Sequence, residues 1–148
     1  MFLTRLIYHS RASFQAEAGT LSEELARILS AGLKNNPPLG LTGVLAVDGD
    51  RFIQVLEGPR RAVSSTFRRI AADKRHHDVI LVICNEVDQR YFSGFSVALL
   101  REETLPQCEP REPVYEHITA DGLLERARRI RETGLIAQRQ EQAQMSDS

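Results

Sequence analysis

The sequence predicts an α+β fold in which helices cover one β-sheet. Three observations predict it. Short apolar runs of strand length alternate along the chain with segments of helical periodicity. The Asp-Gly pair at Asp48-Gly49 joins two such runs, which indicates a β-hairpin. The 148 residues, of which 42% are hydrophobic and 26% charged, are typical of one soluble globular domain.

The strands of this sheet are predicted from runs rich in β-branched and aromatic residues. Two of them flank the hairpin turn Asp48-Gly49-Asp50. Another is a continuous apolar run, which is typical of a buried central strand. In chain order the predicted strands are Phe2–His9, Leu41–Val47, Arg51–Glu57, Val79–Cys84 (the continuous run) and Phe92–Leu100.

Two amphipathic helices are predicted between these strands. The first covers residues 20–34, and Pro37-Pro38 ends it because proline cannot continue a helix. The second follows Gly58-Pro59. Its apolar stripe consists of Val63, Phe67, Ile70 and Ala71. The resulting βαββαββ order is that of ferredoxin-like domains, in which both helices cover the same face of the sheet.

A third helix is predicted over Asp121–Thr133, with Gly134 as its stop. Its apolar side is expected to cover the sheet face that the first two helices leave open. We therefore divide the chain into a core domain over residues 1–104, a connector with a helical cap over 105–137, and a disordered tail over 138–148.

Charge and motif content narrow the classes of function. Lys and Arg total 19 against 20 Asp and Glu, so the formal net charge is -1 and no strong field attracts nucleic acid or an acidic membrane. No P-loop, GxSxG or GxGxxG motif occurs, and the histidines form no zinc-ligand pattern, so no metal site is expected. The first apolar run, Met1–Tyr8, is too short for a signal or a membrane span, which favours a cytoplasmic location.

Two polar side chains stand where the pattern requires apolar ones. Gln54 shares a strand face with Phe52 and Leu56, and an unsatisfied amide there costs about 1–3 kcal/mol. The phenol of Tyr8 ends a strand that is predicted to be buried. Two explanations without a functional role stay open: Gln54 at a bulge or on an exposed face, and Tyr8 as a core tyrosine with its tip in water.

Polar residues also mark the ends of both predicted helices. Asn35 and Asn36 follow the first helix and are explained equally well as a cap and turn. Asp73 and Arg75 follow the second helix, where solvated charges are common. All of these side chains, together with Tyr8 and Gln54, could instead point into one slot between the helices.

Four separated motifs occur in a fixed order over residues 2 to about 100. The segment 5–10 is a strand with a tyrosine and a nearby serine. Asn36 precedes Leu41-Thr42-Gly43 in the pattern N-x4-[IVL]-T-G. Phe52–Gly58 matches F-x-Q-x-L-E-G, and Asp73–His76 matches D-x-R-H. Together these motifs resemble those of the BLUF family, whose members are blue-light sensors that use a flavin.

The resemblance implies the residues that contact the flavin. Ile28 and Ile70 would sandwich the ring between the two helices, and Asn36 would hold its pyrimidine edge. The remaining polar contacts and neighbours would be Asn35, Arg69, Asp73, Arg75 and His76. FAD is the cofactor we expect, with FMN as the alternative. Motifs in this sequence do not choose between the two, because the adenine end of FAD has no recognisable motif here.

Tyr8 and Gln54 would form the photoactive pair. The resemblance implies that blue light excites the flavin, that Tyr8 transiently gives it an electron and a proton, and that Gln54 rearranges its hydrogen bonds before the electron returns. An amide can do this because it offers both donors and an acceptor. The outcome is a red-shifted signalling state, and because no substrate is consumed the chain is not expected to be an enzyme.

The last predicted strand departs from the family pattern. Phe95 and Val97 stand where the family usually has a tryptophan and a methionine. Phenylalanine lacks an indole N–H and valine lacks a thioether, so the route outward from Gln54 is altered. We expect the primary photochemistry to be intact, with changed kinetics or output.

The output is expected to pass to a separate protein effector. The sequence shows no second domain long enough for a cyclase, a phosphodiesterase or a DNA-binding unit, so the 121–133 helix is the predicted transmitter. Whether a second copy of the chain takes part, as a homo-oligomer, stays open. The alternative function is a light-insensitive ferredoxin-like interaction module that binds flavin passively or not at all.

Overall fold

The computed structural model describes residues 2–13, 27, 34, 36–100 and 115–140. Two helices are described, α1 (Arg60–Ala72) and α2 (Ala120–Thr133), together with short 3-10 turns at Pro37–Leu39 and Tyr115–His117. The strands are β1 (Leu3–Ala12), β2 (Thr42–Asp48), β3 (Arg51–Gly58), β4 (His76–Val87), β5 (Phe95–Leu99) and β6 (Leu135–Gln140).

These strands form one six-stranded mixed sheet in the order β4-β1-β3-β2-β5-β6. β3 lies between β1 and β2 and is antiparallel to both, whereas β5 runs parallel to β2. The predicted hairpin is confirmed: the β2–β3 ladder ends at the pair Asp48 and Arg51, and Gly49 in the turn has a φ of 66°. The predicted ferredoxin-like α+β class is likewise confirmed.

Alternation along the strands separates two buried cores. The first contains Tyr8 of β1 and Leu45 of β2, and the α1 residues Val63, Phe67 and Ile70 pack on it. The second lies on the opposite face of the sheet. Its members include the strand residues Ile7, Val44, Ala46, Ile53, Val55 and Ala98 and the α2 residues Leu123, Leu124, Ala127 and Ile130. The predicted cover of this face by the C-terminal helix is therefore confirmed.

Pro59 and Gly134 stand at helix ends, where the sequence predicted a start and a stop. Pro59 precedes α1 at the N-cap position, with its φ fixed near the helical value at -61°. Thr119 caps α2 by accepting a hydrogen bond of 3.0 Å from the backbone N–H of Gly122. Gly134 ends α2 and donates its N–H to the Ile130 carbonyl at 2.7 Å. No helix in the described part of the chain is both long and apolar enough to cross a bilayer.

The prediction of a buried central strand at Val79–Cys84 is wrong. This segment belongs to β4, which lies at the edge of the sheet and pairs with β1. Ile80 and Leu81 are 40% and 49% exposed. A run of apolar residues indicates that a strand forms but does not specify how many neighbours cover it, because those neighbours come from distant parts of the sequence.

The structure also differs from the sequence prediction at the C-terminus. The prediction of a disordered tail is wrong for residues 138–140, which belong to β6. β6 pairs with β5 in an antiparallel ladder in which Gln140 is opposite Phe95. Strand pairing requires only backbone groups, so the polar composition of this segment did not exclude it. Residues 141–148 and nearly all of the predicted first helix lie outside the described residues, although Arg27 and Lys34 are helical.

We predict that Gly43→Ala destabilises the sheet strongly. Gly43 has a φ of 146°, and a Cβ atom there would lie 1.8 Å from the Val55 carbonyl oxygen of β3. The loss should exceed about 3 kcal/mol, since the clash involves backbone and cannot be relieved by a rotamer change. The matched control is Gly49→Ala, which has open space around its Cβ and should cost about 1 kcal/mol for its left-handed backbone. Equal losses in urea unfolding would contradict this account.

Candidate functional site

A cavity of about 240 Å³ lies between the first core face of the sheet and α1. Its walls come from five strands, from α1 and from the segments that follow α1 and precede β2. The lining residues are Tyr8, Asn36, Leu45, Phe52, Gln54, Thr66, Arg69, Ile70, Asp73, Arg75, His76, Phe95 and Val97. Every predicted site residue that the structure describes is therefore at this cavity, whereas Ile28 and Asn35 lie outside the described residues.

Tyr8 and Gln54 face each other at the floor of the cavity. They are directly paired in the antiparallel ladder of β1 and β3, which places both side chains on the same face. The Tyr8 hydroxyl donates a hydrogen bond of 2.5 Å to Oε1 of Gln54. The ladders of β3 are regular at Gln54, so Gln54 is not at a bulge. Tyr8 and Gln54 are only 2% and 5% exposed, so Gln54 is not on an exposed face and the tip of Tyr8 is not in water.

The electrostatics of the pair fix its donor and acceptor. Burial raises the pKa of the Tyr8 phenol, and the negative charge of Asp73 raises this pKa further. Tyr8 therefore keeps its proton at neutral pH and acts as the donor. Oε1 of Gln54 accepts this bond, so both N–H donors of Nε2 and one further acceptor site on Oε1 remain for a bound molecule.

One face of α1 forms the opposite wall. Thr66, Arg69, Ile70 and Asp73 are spaced at i, i+3, i+4 and i+7, so they lie along a single stripe of the helix and the residue that follows it. The sequence analysis missed Thr66, although this spacing could have identified it. Nη2 of Arg69 lies 3.4 Å from the Thr66 hydroxyl, which keeps the guanidinium at the cavity wall.

Asp73 and Arg75 form an ion pair at the end of α1. The Nε and the backbone N–H of Arg75 each donate to Oδ1 of Asp73 at 2.9 Å. This side-chain hydrogen bond is the largest of the effects that lower the pKa of Asp73, so the carboxylate is ionised at neutral pH. Both side chains are half-buried and line the cavity.

His76 joins three elements at the rim of the cavity. Its Nε2 lies 2.6 Å from the Ile70 carbonyl, which can only accept, so Nε2 carries a proton. In the neutral ring Nδ1 then accepts from the Ser10 hydroxyl, at 2.8 Å. These bonds tie β1, the end of α1 and the start of β4 together, and they fix the position of Ile70.

Asn36 enters the cavity from the turn before β2. Its backbone carbonyl accepts hydrogen bonds of 3.1 Å from the N–H groups of Leu39 and Leu41, so Asn36 does form a turn, as one of the two explanations held. Its side chain is buried at the cavity wall, which the turn alone does not require. Both explanations therefore apply to Asn36.

Phe95 and Val97 of β5, which depart from the family pattern, line the same cavity and are buried. In the ladders Val97 pairs with Leu45, and Leu45 pairs with Gln54. Two strand spacings, or about 10 Å, therefore separate the backbones of Val97 and Gln54. The departure lies in the cavity wall itself.

The sequence analysis assigned no role to Glu57, although it belongs to one of the four motifs. Its carboxylate is buried and accepts hydrogen bonds from Nε of Arg5 at 2.7 Å and from the backbone N–H groups of Tyr91 and Phe92 at 2.9 and 3.0 Å. These hydrogen bonds hold in place the segment that leads into β5. Glu57 thereby sets where Phe95 enters the cavity.

The cavity suits a flat ring with apolar faces and a polar edge. Its apolar lining consists of Leu45, Phe52, Ile70, Phe95 and Val97. Its polar groups include the amides of Asn36 and Gln54, which supply both donors and acceptors. The donor set includes no cluster of metal-ligating side chains within the described residues. A flavin ring, apolar on both faces and polar along one edge, fits this lining.

We predict that Asp73 contributes to stability in a pH-dependent manner. Its folded-state pKa lies below the unfolded value of about 3.9, so its contribution is present above that pH and is lost as the pH falls through the folded-state pKa. The stability difference between the wild type and Asp73→Asn should therefore shrink between pH 4 and pH 2 in urea unfolding. Asp88→Asn, at an exposed position outside the cavity, is the control. A difference that stays constant over this range would contradict the assignment.

Comparisons with known proteins identify the fold and the family of this chain. The photoactivated adenylate cyclase subunit alpha of Euglena gracilis is 34% identical over 96 residues, which cover 64% of this chain and 9% of that protein. The blue light- and temperature-regulated antirepressor BluF of Escherichia coli is 30% identical over 97 residues, which cover 66% of this chain and 23% of that protein. The chain thus spans less than a quarter of either relative.

Solved structures give the same result. The dark-state structure of BlrB, a BLUF protein, matches with a TM-score of 0.59 and 30% identity over 66% of this chain and 73% of that one. A bacterial light-regulated adenylyl cyclase matches with a TM-score of 0.60 and 28% identity over 69% of this chain and 29% of that one. The family model described as BLUF, sensors of blue-light using FAD, matches residues 3–98. The chain therefore belongs to the BLUF family, whose domains bind a flavin and sense blue light.

Proposed function

We propose that this chain is a blue-light photoreceptor whose flavin lies in the cavity beside α1 and whose response begins at the Tyr8–Gln54 hydrogen bond. The observation that carries the proposal is the buried bond of 2.5 Å between these side chains, in a cavity that offers apolar walls together with a polar edge. Two buried polar groups that satisfy each other at a cavity floor are poised to respond to any group that competes for their hydrogen bonds.

The residues of the cavity divide into those that hold the ring and those that report on it. Ile70 would pack on one face of the ring, and Asn36 would bind its polar edge. Arg69, Asp73, Arg75 and His76 would complete the polar surroundings at the end of α1. Ile28 on the other face and Asn35 remain predictions from the sequence.

A bound flavin would supply absorption of blue light and, when excited, an electron acceptor. Tyr8 is suited to give up an electron and a proton because its phenol is protonated and its proton already lies on the bond to Gln54. Once this proton has moved, the Gln54 amide can rotate and exchange the acceptor and donors that it presents. Return of both the electron and the proton to Tyr8 would restore the phenol, while the amide would keep its new arrangement, which is the stored signal.

This cycle consumes no substrate, and a BLUF domain is a sensor module rather than a catalyst. We propose that the chain itself has no enzymatic activity. For the cofactor we propose FAD, which the family description names, over FMN. The core domain over residues 1–104 would carry the sensor, and residues 105–137 would carry its connector and cap.

The output is proposed to pass through α2 to a partner protein. α2 covers the sheet face opposite the cavity, so it can sense a change in the sheet without touching the flavin. Arg128 donates to Glu132 at 2.8 Å and pairs also with Glu125, and Arg126 donates to Asp48 at 2.8 Å. Because the charges of these arginines are balanced by acids of the chain, a protein partner fits better than a nucleic acid.

A cytoplasmic location and the absence of a membrane partner stay predictions from the sequence. Whether a second copy of the chain takes part stays open.

The deciding experiment is the visible absorption spectrum of the flavin-loaded protein before and after blue light. A yellow protein with a red shift that reverses in the dark supports the proposal. A flavin spectrum that does not shift supports the light-insensitive interaction module instead. A protein that cannot be loaded with flavin would overturn both.

We predict that Tyr8→Phe and Gln54→Leu each retain flavin but lose the normal red shift. The first variant removes the proton donor and the second removes the amide that stores the signal, while both keep an apolar body in the cavity wall. The measurement is the light-minus-dark spectrum, with Tyr91→Phe as the control because Tyr91 is exposed and does not line the cavity. A full-sized shift in either cavity variant would refute the role assigned to that residue.

We predict that Val97→Met changes the rate of dark recovery. Methionine reaches farther into the cavity from β5 than valine does and brings a polarizable thioether toward Gln54. Leu99→Met is the matched control, since Leu99 lies on the same face of β5 but does not line the cavity. Recovery rates that are equal in the wild type and both variants would show that position 97 does not influence the photoactive pair.

A further inference from the structure

Asp48 binds the C-terminal segment to the sheet on the face opposite the cavity. Its Oδ2 accepts hydrogen bonds from the hydroxyl of Tyr115, in the turn before α2, and from Nε of Arg126 in α2, the latter at 2.8 Å. Tyr115 is buried, and burial together with Asp48 raises the pKa of its phenol, which therefore stays a donor. Asp48, Tyr115 and Arg126 are called the Asp48 cluster below.

His9 is the residue of β1 that contacts this cluster. Its ring centroid lies 5.2 Å from that of Tyr115, and the guanidinium of Arg51 lies 4.6 Å from the same Tyr115 ring. His9 is 2% exposed, and its Nδ1 has no hydrogen-bond partner among the residues that the structure describes. The ring thus lacks a bond at Nδ1 that would hold it when its strand moves.

The His9 ring is neutral at ordinary pH. Burial lowers the pKa of His9 and the positive charge of Arg51 lowers it further, while Glu116 and Asp78 act in the opposite direction. A neutral ring beside Tyr115 acts through packing rather than through charge. Any influence of His9 on the cluster therefore depends on where β1 places the ring.

His9 follows Tyr8 directly in the chain. Alternation along β1 puts Tyr8 in the cavity and His9 on the opposite face, so one peptide bond connects Tyr8 to the ring that packs against the Asp48 cluster. The ladder between β1 and β4 is irregular on both sides of this dipeptide, between Ile7 and Tyr8 and between His9 and Arg11. The ladder between β1 and β3 is regular throughout. Irregular pairing re-aims side chains and leaves the strand fewer constraints on that side.

We propose that His9 is a relay that carries the response of Tyr8 through the sheet to the C-terminal cap. A shift of the Tyr8 backbone turns the His9 ring against Tyr115, which strains the bonds to Asp48 and loosens the segment from Tyr115 to Thr133. His9 is a positioning residue in this scheme, since it touches neither the cavity nor the flavin. The inference rests on the proposed function, because it requires that Tyr8 and Gln54 respond to light.

The test is hydrogen–deuterium exchange of the flavin-loaded protein, in the dark and under steady blue light, read in peptides that cover α2. We expect light to increase exchange in α2 of the wild type. His9→Ala should keep the red shift and lose the light-dependent increase, whereas His9→Phe, which retains a ring against Tyr115, should keep both. Val44→Ala is the matched control, because Val44 is buried in the same core on β2 and its truncation should leave the increase intact.

The outcomes separate this inference from the function on which it rests. A wild type without a red shift overturns the proposed function and the relay with it. A red shift together with an α2 response that is as large in His9→Ala as in the wild type overturns the relay alone, as does loss of the response in His9→Phe.

A second variant covers the case in which His9→Ala does not fold. Tyr115→Phe keeps the ring but removes the hydroxyl that donates to Asp48. We expect its α2 to exchange in the dark at nearly the rate that the wild type reaches in light, with the red shift unchanged. Dark exchange equal to that of the wild type would overturn the relay.

Discussion

The site depends on the register between the neighbouring central strands β1 and β3, which places Tyr8 and Gln54 within hydrogen-bonding distance. Their hydrogen bond exists because the two residues are direct partners in the ladder. A slip of one residue in that register would turn Gln54 to the opposite face of the sheet and leave a buried amide without a partner. The register that builds the apolar core therefore also builds the site.

The sheet separates the cavity from the helix that is proposed to transmit the response. The cavity, α1 and the ion pair of Asp73 with Arg75 lie on one face, whereas α2 and the Asp48 cluster lie on the other. β1 contributes to both faces through consecutive residues. Packed strands move as units because their interiors are dense, so a sheet can pass a small displacement from one face to the other without a mobile hinge.

Much of this fold could be predicted from the sequence because its signals are local. The Asp48-Gly49 turn, the start of α1 after Pro59 and the end of α2 at Gly134 depend on residues within one turn of each other. The site residues on α1 could be predicted for the same reason. The helical spacing that reveals Ile70 and Asp73 would also have revealed Thr66.

The rest of the structure depends on which distant segments meet. The apolar run at Val79–Cys84 has the same composition in an edge strand as in a central one, so its place beside β1 could not be predicted. Glu57 receives its bonds from residues more than 30 positions away, and His9 meets Tyr115 only because α2 folds over the sheet. No pattern among neighbouring residues of the sequence indicates such contacts.

The most direct test of the account is the light-minus-dark infrared difference spectrum of the flavin-loaded protein with ring-deuterated tyrosine. Tyr91→Phe and Tyr115→Phe together leave Tyr8 as the only tyrosine, since the chain has three. We expect a difference band that shifts with the label, because the bond from Tyr8 to Gln54 changes in the red-shifted state. Formation of that state without any tyrosine band would contradict this expectation.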